Sequence, residues 1–97
     1  MISATKEYLE RVRLLMKDRR IALSLKQKDA AEKSGVNIRT LQHFEQTGEI
    51  SFENLIKLFG LYKMDRKVIS SIEDRSWWTV DELERAEKNS KVRSPKV

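Results

Sequence analysis

An all-α fold is predicted by three observations. Apolar residues recur three and four positions apart along most of the chain, the period of a helix with one buried face. The 97 residues include only three glycines and one proline, too few for the tight turns of a β-sandwich. Ser, Asn, Asp or Thr directly precedes four of the periodic stretches, as helix N-caps do. A chain of this length, 39% hydrophobic, supports one small core and not two.

The first helix is expected over residues 5–22, where Tyr8, Val12, Leu15 and Met16 share helical spacing between charged positions. A second, over 26–34, ends at Gly35, a residue suited to the left-handed conformation that closes a helix. Asn37 caps a third over 38–46, which places Leu41 and Phe44 on one face. Thr47, Gly48 and Glu49 form a loop, and Ser51 caps a fourth helix over 52–59 with the apolar stripe Phe52, Leu55, Ile56 and Phe59. Asp65 is read as the cap of a fifth helix over 66–74 carrying Val68, Ile69 and Ile72. Thr79 and Glu82 have capping-box spacing and open a short helix over 80–88. The expected organisation is a five-helix domain over 1–75 and a short helical extension with a basic, disordered tail over 76–97. Tyr8, Val12, Leu15, Phe44, Leu55 and Phe59 are the expected core.

The net charge is +5 and unevenly spread. Residues 11–43 carry nine cations against three acids, whereas residues 73–87 carry six acids against two cations. A local excess of +6 on the first three helices points to an acidic partner, most often nucleic acid. Cysteine is absent and His43 is the sole histidine, so thiolate sites, histidine metal clusters and a Ser-His-Asp triad lack their parts. No activated nucleophile, carboxylate pair or phosphate loop can be assembled, so the expectation is a non-enzyme without cofactor. The opening MISATKEYLE has charges at Lys6 and Glu7 and no apolar signal core, and no apolar run spans a bilayer. A soluble, cytoplasmic protein is expected.

Function concentrates in 27–46, QKDAAEKSGVNIRTLQHFEQ. Two short helices meet at Gly35 with almost no linker. Ala31 allows a close, steep crossing, and Val36, Leu41 and Phe44 fill the angle, the helix-turn-helix arrangement. Ile38, Arg39, Gln42 and His43 are left facing outward. Arg and Gln on an exposed helix have the donors and acceptors to read guanine and adenine edges.

These residues, within RRIALSLKQKDAAEKSGV and NIRTLQHFEQTGEISFENLIKLF, resemble the lambda-repressor/Cro-like (XRE) helix-turn-helix family over about residues 8–62. The resemblance implies a five-helix DNA-binding domain. Gln27, at the motif's first position, would contact a phosphate and buttress the third helix. Ile38, Arg39, Thr40, Gln42 and His43 fall on base-facing positions, and Asn37 caps that helix with its amides towards a phosphate. Lys26 departs from the Ser or Thr usual there: it cannot cap but can pair with phosphate, as can Lys28. Ile38 also departs, because it can touch a thymine methyl but makes no hydrogen bond. Arg19 and Arg20 have two readings, phosphate contact, or one stem packed on the core and the other solvated.

The function implied is a repressor binding a palindromic operator as a homodimer, with double-stranded DNA as partner. The stretches GEISFENLIKLFGLYKMD and TVDELERAEKNSKVR also resemble regulators encoded beside HipA-type kinase toxins, which implies an antitoxin that binds its toxin and represses its own operon. A protein-only adaptor with the same fold is the third reading. Adjacent residues cannot share one face, so one of Trp77 and Trp78 is expected to seal the core and the other to contact a partner or a second copy.

Overall fold

The computed structural model describes residues 2–90, and the side chains of residues 4–89. Among them are six helices and no strand: α1 (Ile2–Ala22), α2 (Gln27–Ser34), α3 (Ile38–Thr47), α4 (Phe52–Leu61), α5 (Asp65–Glu73) and α6 (Val80–Ser90). Residues 91–97 of the expected tail lie outside the described residues.

Local chemistry explains most of the boundaries. Gly35 closes α2 at φ 80° and Gly48 closes α3 at φ 85°, both in the left-handed region. Asn37 accepts a hydrogen bond from the Arg39 amide and Ser51 one from the Asn54 amide, which satisfies a free donor at the start of α3 and of α4. The Thr79 hydroxyl accepts from the Glu82 amide while the Glu82 carboxylate accepts from the Thr79 amide, a complete capping box. Asp65 behaves differently from the expectation. It is the first residue of α5, and Met64 holds the cap position with no side-chain bond. An acidic side chain is also favoured inside the first turn, by the helix dipole, which explains the displacement by one position. Lys26 precedes α2 and makes no capping bond.

Four helices enclose the core. α1 and α2 pack on α3, α4 packs on α2, and α5 leans on α4. The centre is Met16, Ala30, Leu41, Phe44, Leu58 and Tyr62, each almost fully buried, with Ala31, Val36 and Phe59 beside them. Small side chains at Ala30 and Ala31 let α2 approach closely, and Val36, Leu41 and Phe44 fill the angle as the sequence predicts.

Three expected core residues are not core. Tyr8 is 60%, Leu15 58% and Val12 39% exposed, although their spacing is helical. Met16 is the apolar residue of α1 that reaches the interior. Periodicity identifies the apolar face of α1, but that face is covered only in part: Leu9 lies against Gly48 while Tyr8 and Leu15 stay exposed. Phe52 is likewise exposed, and Val68 packs on the core while Ile69 and Ile72 do not. Trp78 does not seal the core either: it is half-buried beneath Arg75, 4.9 Å from its ring, and edge-on to Trp77, which is 74% exposed. α6 shares no extended packing with the other helices. The radius of gyration is 16.7 Å, against roughly 13 Å for a compact domain of this length.

The Tyr62 hydroxyl is buried with no hydrogen-bond partner among the described residues. Burial, and then the nearby Glu45 charge, push its ionisation up to about 12 from 10.0. The unfolded chain therefore loses this proton first, so its contribution to stability falls as pH rises from about 10 towards 12. Tyr62→Phe removes an unpaired polar group; urea midpoints are expected to be unchanged or higher at pH 7 and to lose less on going to pH 11.

Candidate nucleic-acid interface

The motif is held in place by a buried polar cluster. Arg20, 7% exposed on α1, donates from Nε and Nη2 to the two carboxylate oxygens of Glu45 on α3, at 2.7 and 2.9 Å. Its Nη1 donates to the Leu25 carbonyl at 2.8 Å, just before α2. One guanidinium thus ties α1, the turn before α2 and α3 together. Hydrogen bonding to Glu45 holds the Arg20 guanidinium above its ordinary pKa despite burial. Arg13 donates to the Glu45 backbone carbonyl at 2.8 Å, and Arg19 to the Tyr62 carbonyl at 2.9 Å. Arg20 follows the packed-stem reading, with its guanidinium bonded inside the chain where no phosphate reaches it, while Arg19 stays half-exposed and bonds the Tyr62 carbonyl through Nε.

The cluster continues to the surface. Gln27, half-buried at the start of α2, donates from Nε2 to Glu45 at 2.9 Å, and its Oε1 accepts from Gln42 Nε2 at 3.4 Å. A polar path therefore runs from the interior to an exposed residue of α3. Glu45 is the residue that anchors this cluster, and its helical spacing does not name its partners. The signal for it was a carboxylate on the same face as Leu41 and Phe44, a position that requires a buried partner.

The exposed surface of α3 carries Arg39, Gln42 and His43, with Asn37 at its start. Arg39 has an open side chain. His43 Nε2 lies 2.9 Å from Glu49 Oε1, turned towards the loop after α3, where Thr47 donates to the His43 carbonyl and accepts from the Glu49 amide. Lys26 and Lys28 are exposed at the start of α2. Thr40 is half-buried. Ile38 does not face outward as expected: it packs against the core and lines a hollow with Lys28, Ala31, Glu32 and Val36. Its apolar side chain gains more from the space between α2 and α3 than from water. Trp77 and Trp78 lie beyond α5, outside this surface.

The geometry is that of a helix-turn-helix protein: a short helix, a left-handed glycine, and a second helix whose solvent side bears Arg, Gln and His above a basic flank. A helix-turn-helix family model matches residues 16–69, more than half of the chain, and the chain belongs to that XRE-type, lambda-repressor/Cro-like family of DNA-binding transcription regulators. No curated protein and no solved structure matches it. Among the described residues no helix is long and apolar enough to cross a membrane.

Proposed function

We propose that the protein represses transcription by binding a palindromic operator as a homodimer, with α3 of each copy in successive major grooves about 34 Å apart. The observation that carries this reading is the exposure of Arg39, Gln42 and His43 together on the outer side of an α3 that is anchored from within by Glu45. Arg39 reads base edges, with guanine as its natural target, and Gln42 suits adenine. Lys26 and Lys28 hold phosphates, and Gln27 supports Gln42 from behind. Ile38 and Thr40 shape the inner wall of the reading helix.

Selection of binding sites from random DNA tests this assignment. Arg39→Ala is expected to cost about 1–3 kcal/mol on the selected operator and to relax preference at one base pair of each half-site. Lys28→Ala is expected to weaken binding to every sequence alike and to reduce the salt slope by about one per site. An unchanged base preference in Arg39→Ala removes it from readout. No shift of any fragment at moderate salt favours the adaptor reading.

A further inference from the structure

Two apolar surfaces lie open among the described residues. One is a groove of about 380 Å³ between the first half of α1 and the start of α4, lined by Tyr8, Leu9, Val12, Ile50, Phe52 and Leu55. The other is the C-terminal extension, where Trp77, in the turn before α6, is 74% exposed and Val80, at the start of α6, is 71% exposed, with no extended packing of α6 among the described residues. Residues 73–87 carry a net charge of −4, while the stretch of α1 that lines the groove is balanced, with Lys6 and Arg11 against Glu7 and Glu10.

We propose that the groove of each protomer receives Trp77 and the adjoining start of α6 from a second copy, in a reciprocal two-fold exchange of C-terminal arms. This deepens the homodimeric reading and rests on it. A two-fold exchange covers both surfaces in both copies with one contact type. The area is sufficient. Tyr8, Phe52 and Trp77 can each bury on the order of 100–150 Å² more, and counting both copies and the exposed aliphatic residues carries the total past roughly 1,000 Å², where specific interfaces begin. Arg11 is stacked 5.4 Å over Tyr8, a residue of the groove wall, and offers the acidic arm a cation in the neighbouring hollow. The groove lies against Phe44 and Gly48, and Gly48 is nine residues from Arg39 at the start of α3, so a docked arm leaves Arg39 open. Nine residues of helix separate them by roughly 13 Å.

The natural absence of cysteine makes cross-linking a clean test. Full-length Val12→Cys and Val80→Cys variants are mixed in equal amounts and mildly oxidised, and products are identified by mass. The expected dominant product is the mixed dimer. Self-linked Val12→Cys dimers would place α1 against α1 and overturn the exchange, and so would a monomeric disulfide in the double variant, which would mean that the arm folds back on its own groove. Independently, Trp77→Ala is expected to raise the dimer dissociation constant roughly 10- to 100-fold in sedimentation with unchanged helical circular dichroism. A dimer indifferent to Trp77→Ala overturns this interface while the homodimer stands. A wild-type chain that is monomeric alone and on its operator removes both. A chain that is monomeric alone and covers Trp77 only with a different protein gives the arm to that partner and likewise overturns the exchange.

Discussion

Replacing Glu45 by alanine is expected to destabilise the domain by about 3–5 kcal/mol, a large part of the total of about 5–15 kcal/mol available to a domain of ordinary stability. The cause is not the loss of an attraction as such. Arg20 cannot leave the interior without dragging α1 from α3, so its cation stays buried with one carbonyl partner, Leu25, and no counter-charge. Gln27 loses its acceptor at the same time. Glu45→Gln keeps an acceptor but not the charge and is expected to fall between wild type and Glu45→Ala. The double variant Arg20→Met with Glu45→Leu removes both charges and is expected to recover most of the loss, since apolar pairs of similar volume often match a buried ion pair. Urea unfolding monitored by circular dichroism ranks all four. A Glu45→Ala loss below about 1 kcal/mol would show that Arg20 reaches water and that the pair does not organise the core.

The two left-handed glycines should respond unequally to alanine. Both carry the backbone penalty of about 1–2 kcal/mol for a side chain at positive φ. At Gly35 a Cβ would meet nothing within 4 Å, so Gly35→Ala is expected to cost little beyond that. At Gly48 the new atom would sit 3.0 Å from the Leu9 carbonyl oxygen and 3.1 Å from the Leu9 Cβ, both on α1. Backbone cannot swing aside as a flexible side-chain end does, so α1 must shift as a body. Gly48→Ala is expected to cost about 2–4 kcal/mol, with the excess arising from the α1–α3 contact. Equal thermal shifts in the two variants would mean that α1 yields freely at Leu9.

Much of this architecture is legible in the sequence because it is locally encoded. Gly35, Asn37, Ser51 and the Thr79–Glu82 pair mark boundaries within a few residues of themselves, and the structure places bonds or dihedrals at each. The crossing of α2 and α3 follows from Ala31, Val36, Leu41 and Phe44 for the same reason. What escaped is non-local. Arg20 and Glu45 are 25 residues apart, and nothing in the spacing of either names the other. Ile38 was placed outward from its helical position, but the hollow that accepts it is formed by α2. A helical period reports that the face of Tyr8, Val12 and Leu15 is apolar and is silent on what covers it. Of the candidate interface, the outward positions of Arg39, Gln42 and His43 were readable from α3 alone, while the support beneath Gln42 was not.

The isolation of α6 has a dynamic consequence. Its 11 residues fall below the 12–15 or so at which a lone helix becomes even marginal in water. The Thr79–Glu82 box and the Asp81–Arg85 pair are local terms that contribute to its helicity, together on the order of 1 kcal/mol. Its amides therefore open to solvent exchange independently of the rest, through fraying of a single segment, while those of α3 open only when the whole core is lost. Slow exchange in the core helices and fast exchange along α6 are the expected pattern, and any contact that captures the arm is expected to register first as slowed exchange along α6.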